Sequence, residues 1–505
     1  MAHQKEVYTS YLNIPYSVFA TELEGTSKAD FNKESEQIME YYEAYRRGVD
    51  FTAEGSNTDY VPSDLRFKKI SDLIDKESRF LFSIPPSFIV NPDRSGLTKE
   101  LREQNTQLNQ FLNEVLSKLQ FSSDLVKAAK DCFIGKRIAC MLNFNGAEGI
   151  SATFLKSTEF LYEYKGKELS RIVGIFIISE SSNKADQIIK KKVYEMGEDG
   201  YCYVEEALYS GTGELKEEGR VERTRTLFQR IPAVVILNEG LTNDSRGESD
   251  VAELLDYEST YSKLANSDID SERKSMNPIR YTVDATQEST SNLSTAPGSF
   301  WDIQSDQNGS DPKNASVGML EAHMSYKDAL KTTLDRIENT MYSQLEIPNI
   351  SSEKLQGVIT SGKTLKALYW SLIVRCNEKM LTWGPALTAI AEIILEGAKL
   401  YPESARRMSS VELPDIKYEI KVENNYPLPE DEAEEKAVDL AEVSAQVMSR
   451  KSYMKKWRGL TDEEAMEELK QIALERQILE DAFMPTPIEG DDQSDNEEDD
   501  EIEEV

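Results

Sequence analysis

The chain has 505 residues, of which 39 % are hydrophobic and 30 % charged, and its formal net charge is −33. That length exceeds one simple core and points to roughly two to four packing units. So acidic a balance excludes a protein that wraps DNA by neutralising phosphates, which needs a dense Lys/Arg face, but it fits the wall of a passage that must not stick to DNA.

In chain order, the first 120 or so residues read as mostly helical. "FNKESEQIMEYYEAYRRG" has a helical period and ends at Gly48. "LRFKKISDLIDKESRFLF" places Ile70, Leu73, Ile74 and Phe80 on one apolar face. Pro85 and Pro86 stop that helix, and "SFIV" then suits a strand. "LNQFLNEVLSKL" is amphipathic, and "SDLVKAAKDCFIGKRIACML" reads as a helix that breaks near Gly135 before a strand. From about Ile138 to Leu237 the pattern turns to strands with Gly/Asp turns, and "SGTGEL" suits a tight hairpin.

A long helix is expected from Glu248 to about Lys274, with Val251, Leu254, Leu255, Tyr261, Leu264, Ala265 and Ile269 on one stripe. "PIRYTV" and "SFWDIQ" read as short strands separated by a Ser/Thr-rich loop. A second long helix is expected from about Val317 to Leu345, carrying Leu330, Leu334, Ile337, Met341 and Leu345. Two helices thus flank a small β insertion, a stalk with a cap. A very long helix follows from about Thr364 to Leu400, about 55 Å if straight, with a kink expected at Pro385. "DIKYEIKVENNYP" alternates like a strand. Two more helices follow, the second opening on a capping box from Thr461 to Glu464. The end of the chain is acidic, low in complexity and expected to be disordered. The fold class expected is α+β, mostly helical.

One octapeptide spells a known chemistry. "GVITSGKT", Gly357 to Thr364, fits G-x-x-x-x-G-K-[ST] at every fixed position. A phosphate-binding loop must leave a buried strand so that backbone N–H groups and a helix N-terminus converge on phosphates. Here the preceding stretch is polar, and no apolar strand ending in Asp follows to hold Mg²⁺. The simpler reading is a helix start, with Thr360 or Ser361 as cap. The alternative function is a nucleotide-driven ATPase using Lys363 and Thr364.

Other chemistry is sparse. The four cysteines, Cys132, Cys140, Cys202 and Cys376, lack C-x-x-C spacing, and His3 and His323 are the two histidines, so no metal, catalytic group or cofactor is expected. Scattered, apolar-flanked cysteines fit a reducing compartment. The first residues do not read as a signal peptide, and no run of 18 or more apolar residues suggests a membrane span.

Four stretches in order carry a resemblance. They are "RFKKISDLIDKESRFLFSIPPSFIV", the segment from "RIPAVVILNEG" through "GESD" to "NPIRYTVDA", "TSGKTLKALYWSLIVRCNEK", and the segment from "VENNYPLPEDEAEEK" to "LKQIALERQ". Together the sequence resembles the portal proteins of tailed, siphophage-type bacteriophages. The resemblance implies a ring, commonly of twelve subunits, around a channel for double-stranded DNA at one capsid vertex, and no enzymatic activity. It implies a wing at 1–246, a first stem helix at 247–275, a clip at 276–316 and a second stem helix at 317–346. A tunnel loop would follow at 347–361, then a kinked helix and closing strand at 362–430, crown helices at 431–485 and an acidic tail at 486–505. The implied partners are further copies of the chain, DNA passing without sequence specificity, the terminase large subunit, a head–tail connector or adaptor, and the major capsid and scaffolding proteins. The implied setting is the virion, and the host cytoplasm during assembly.

Candidate channel residues are Ser351, Ser352, Glu353, Lys354, Gln356 and Lys363 in and beside the tunnel loop, and Lys327, Lys331 and Arg336 on the second stem helix. Ordinary solvated lysines, or acidic pairing between subunits, read these cations equally well. Tyr281, Phe300 and Trp301 are candidate clip contacts, with a small local core as the other reading. A third functional reading is an acidic cytoplasmic scaffold that binds proteins and not DNA.

Overall fold

The computed structural model describes residues 18, 28–51, 61–91, 98–164, 172–180, 188–240, 246–276, 279–291, 293–294, 300–305, 314–320, 324–350, 362–428 and 432–482. The chain divides into two compact units, Met1–Val358 with Lys366–Pro427, and Ile359–Leu365 with Leu428–Val505.

In the larger unit, four helices come first: α1 (Lys28–Arg47), α2 (Lys69–Phe82), then strand β1 (Ser87–Val90), α3 (Lys99–Lys118) and α4 (Phe121–Gly135). The period-3.6 reading holds here, since Ile70, Leu73, Ile74 and Phe80 are all buried. Helix α4 is the hub. It packs on α1, α2 and α3 and on strands β2 (Arg137–Asn145) and β3 (Gly149–Lys156). Its Ala128, Ala129, Cys132 and Phe133 are inaccessible to solvent, which suits small residues at a close crossing.

The strand region forms two antiparallel sheets. One has the order β3-β2-β9, with β9 spanning Ala233–Leu237. The other is a meander of β4 (Phe160–Tyr164), β5 (Ile172–Glu180), β6 (Ile188–Met196), β7 (Cys202–Ser210) and β8 (Leu215–Arg225). The hairpin expected at "SGTGEL" joins β7 to β8, with Gly213 at φ +88°. Val18 and Ile189 form a small core on this meander with Phe31, Leu161, Val193 and Tyr209. Buried Lys191 donates to the Val18 carbonyl at 2.9 Å there.

Helix α5 (Leu255–Met276) starts later than the pattern suggests, because residues 251–254 form turns. Its buried stripe also differs. Leu264 and Ile269 are half-buried, while Glu258, Ser262, Asn266 and Asp270, four residues apart, are buried. The reason is an extended neighbour with free backbone groups. The amide of Ser63 donates to Asp270 at 3.0 Å, and Leu65 exchanges two bonds with Asn266, each 2.8 Å. Glu258 accepts the amide of Ile70 at 2.7 Å, serving the open N-terminus of α2 where Lys68 offers no side-chain cap. A helix that holds backbone instead of side chains needs polar groups at i, i+4 spacing, and apolar patterning cannot reveal it.

Strand β10 (Ile279–Val283) and the one-turn helix α6 (Gln287–Thr290) follow. The partner of β10 is β11 (Ser316–Leu320), not "SFWDIQ". Residues 300–304 are irregular, and a bridge between Ala285 and Ser305 and the Thr286 amide donating to the Gln304 carbonyl at 2.9 Å tie them to the chain after β10. Consequently the next helix, α7 (Lys327–Gln344), starts ten residues later than expected from Val317. The ring of Tyr281 occupies the space that a side chain at its cross-strand partner Gly318 would fill.

The long helix is interrupted. Helix α8 (Gly362–Leu368) ends at a turn at Tyr369, whose ring stacks on Phe80 at 5.6 Å. Helix α9 (Trp370–Leu400) then runs through Pro385 without a break in its assignment. Its second half buries Leu387, Ile390, Ala391, Ile393, Ile394, Leu395 and Ala398 against β2, β9 and β12 (Ile420–Glu423). Helix α10 (Pro402–Met408) packs on β3, and β12 pairs with β1.

The first half of α9 carries charges into the core. Lys379 is 2 % exposed; its Nζ donates to Asp250 at 2.9 Å and to Asn238 at 2.8 Å and lies 3.1 Å from Glu239 and 3.4 Å from Glu77. One turn earlier, Arg375 reaches Glu77 at 2.8 Å, Asp250 at 2.9 Å and Glu239 at 3.3 Å. Burial pushes the Glu77 carboxyl up, with Lys379 opposing. Burial would lower Lys379, but Asp250 and Glu77 outweigh it and hold the ammonium above its ordinary range.

The smaller unit contains α11 (Glu432–Ser444), α12 (Arg450–Arg458) and α13 (Asp462–Ala482), three helices where two were expected. Helix α12, "RKSYMKKWR", is locally neutralised. Lys451 and Lys455 meet Asp462, Lys456 meets Glu435 and Asp439, and Arg458 meets Glu468. The capping box forms as expected: Thr461 N donates to Glu464 at 2.9 Å, and Glu464 N to the Thr461 hydroxyl at 3.3 Å. Thr461→Ala should cost about 1 kcal/mol. Hydrogen exchange of the first turn of α13 would read it as roughly fivefold less protection, with β4–β8 unchanged.

Candidate functional site

No group of three or more His, Cys, Asp or Glu among the described residues is placed to share a metal ion. All four cysteines are buried thiols, and burial pushes Cys140 and Cys376 up to about 12, far from a reactive thiolate. No described helix is long and apolar enough to cross a membrane.

Helices α5 and α7 flank the β10–β11 sheet in sequence. Helices α5 and α7 pack together, joined by the ion pair Lys327–Glu272 at 2.7 Å and by Tyr326 donating to Asp268 at 3.2 Å. Helix α2 fastens the far end of α7. Lys69 meets Glu338 at 2.8 Å, and Lys76 donates to the Tyr342 hydroxyl at 2.7 Å. Lys327 is therefore engaged within the chain. Lys331 and Arg336 are exposed on α7. Arg336 lines a shallow groove of about 470 Å³ with Thr332, Asp335, Asn339, Thr340 and Ser343. That surface is built of short hydroxyl and amide side chains with balanced charge, and it offers neither an aromatic stacking platform nor a dense cation row.

The cap is thin. β10 and β11 form a sheet of two strands. Tyr281 and Val283 are exposed on one face, and Val317 and Met319 on the other. Phe300 is 90 % exposed. Trp301 differs: it is half-buried, donates to the Ser294 carbonyl at 2.5 Å and has the Arg280 guanidinium 5.3 Å over its ring. Of the three aromatic candidates, Trp301 serves the local fold, while Tyr281 and Phe300 face outward.

Ser351, Ser352, Glu353, Lys354 and Gln356 lie outside the described residues, as do residues 357–361 of the octapeptide. The rest of it begins α8, with Lys363 second in the helix, in line with a helix start. Every strand pairing among the described residues is antiparallel, so the parallel sheet that positions a nucleotide-binding loop is not among them.

The sequence pattern of the family described as "Phage portal protein, SPP1 Gp6-like" matches residues 27–479. The chain belongs to this family. A search among curated proteins gives no match. As a portal protein it is a component of the phage capsid vertex, where it is the conduit for double-stranded DNA in packaging and ejection and the docking platform for terminase and head–tail connector proteins. The match supports that reading and lends nothing to the packaging-ATPase alternative.

Proposed function

We propose that the portal protein works as a ring, a dodecamer as is common in this family, with α5 and α7 as stem and the β10–β11 insertion as clip. The observation that carries the reading is the family match over 27–479, and the physics of the cap accords with it. A two-stranded sheet is marginal alone and gains stability when its apolar faces are covered. Tyr281, Phe300, Val317 and Met319 are the side chains available for contact with a neighbouring subunit or a connector protein.

The channel would take the polar face of α7, with Lys331 and Arg336 as fleeting phosphate contacts, together with residues 351–356 and Lys363. Summed over a ring, a net charge of −33 per chain gives a negative wall along which DNA slides instead of binding. The wing would be residues 1–246 with 362–430, the crown 431–485, and the acidic tail 486–505 a solvating segment. Capsid and scaffolding proteins would meet the wing during assembly in the host cytoplasm.

Electron microscopy of the purified protein, with mass from light scattering on the same sample, tests this. Rings with a hole that admits B-form DNA are expected. Monomers at all concentrations, also with assembly partners added, would exclude it. Rings without such a hole would favour the acidic-scaffold reading.

A further inference from the structure

The two halves of α9 are held by different physics. Beyond Pro385 the helix is fixed by close-packed apolar side chains, which tolerate little rearrangement. Before Pro385 it buries Leu372, Cys376 and Trp383, and it shows Trp370 at 65 % and Leu381 at 75 % exposure. Beside these apolar contacts, which include Trp383 edge-on to Phe82 at 5.0 Å, the charge cluster fastens this half. Arg375 and Lys379 sit one turn apart and share three acids. Glu77 comes from α2; Glu239 and Asp250 come from the segment between β9 and α5. Both cations bridge both segments, so the half-helix cannot rotate or lift without breaking the set.

Two further observations mark this as a device that opens. Pro385 has no amide hydrogen, so the ladder bond to the Leu381 carbonyl is missing at the junction of the halves. Also, Glu77 Oε2 is buried with no hydrogen-bond partner, so the cluster retains an acceptor that an alternative arrangement could satisfy. Directional polar networks, like packed interfaces, switch between discrete arrangements instead of deforming continuously.

We propose that the Glu77–Glu239–Asp250–Arg375–Lys379 cluster is a latch, and that residues 370–384 open from the body as one lever about Pro385 while 386–400 stays in place. The inference is independent of how many copies assemble.

Hydrogen exchange on the full-length protein tests it, with Glu239→Gln as the mild variant because Glu239 lies at the rim, its side chain 36 % exposed. In wild type, the amides of Ile373–Thr382 should exchange together, at least tenfold faster than those of Leu387–Ala398. Glu239→Gln should speed the first group about fivefold and leave the local exchange of the β7–β8 hairpin unchanged. Glu77→Gln, nearly isosteric and buried, is the second variant and should act in the same direction. One common protection level for both halves in wild type would overturn the hinge. Unchanged exchange of Ile373–Thr382 in both variants would overturn the latch.

Discussion

Replacing Lys379 by alanine should destabilise the larger unit by about 3–5 kcal/mol, the cost of removing one partner from a buried ion pair. The magnitude follows from what remains. Asp250 and Glu77 are buried, and without the ammonium Arg375 is the one cation left in the cluster to face them. The side-chain oxygen of Asn238 also loses the donor Lys379 Nζ. Denaturant unfolding of Lys379→Ala, Asp250→Asn and the double variant measures the coupling. The double variant should lose clearly less than the sum, because each single change leaves the other charge buried and unpaired. Strict additivity would show that the two residues act separately.

These residues explain how much of the chain could be read before its fold was known. Where a helix buries apolar side chains, periodicity finds it: α2, α3 and α4 lie where the pattern put them, and the break at Gly135 leads into β2. Charge and backbone recognition are less legible. Arg375 and Lys379 resemble surface cations on an amphipathic helix, yet they share a face with Leu372, Cys376 and Trp383, and cations at i, i+4 within an apolar stripe were the available signal. On α5, Glu258, Asn266 and Asp270 form a similar stripe with Ser262, but the partners of these three are backbone atoms about two hundred residues away in sequence. No local pattern announces such a partner.

The β10–β11 insertion shows a different limit. "SFWDIQ" and "SVGML" both have strand composition, and only pairing selects between them. The selected strand has Gly318 opposite Tyr281, so the ring can lie across the partner strand. The candidate channel cations were found by position alone. The structure separates Lys327, paired to Glu272, from the exposed Lys331 and Arg336, a distinction that depends on the geometry between α5 and α7.

The second large effect is expected at the turn that delivers Asp250. Gly247 has φ +72°, and a Cβ there would lie 2.4 Å from the Lys136 carbonyl oxygen and 3.1 Å from that of Asn238. Both oxygens are committed: Lys136 O accepts from Asn238 N, and Asn238 O from Glu248 N, each at 2.8 Å. The next residues are sewn to the end of α4, with Ser249 donating to the Ile134 carbonyl at 2.6 Å and Asp250 N to that of Phe133 at 3.0 Å. The backbone has nowhere to retreat without moving Asp250 out of the cluster. Gly247→Ala therefore combines left-handed strain of about 1–2 kcal/mol with a clash of about 1–3 kcal/mol. Gly200 isolates the first part, since its φ is +79° and nothing lies within 4 Å of a Cβ there. In paired unfolding curves Gly200→Ala should show the strain alone, and Gly247→Ala should lose about 1–3 kcal/mol more. Exchange of Ile373–Thr382 should quicken in Gly247→Ala and not in Gly200→Ala, because only the first displaces an acid that holds α9. Equal losses at the two glycines would mean that the turn yields without disturbing the cluster.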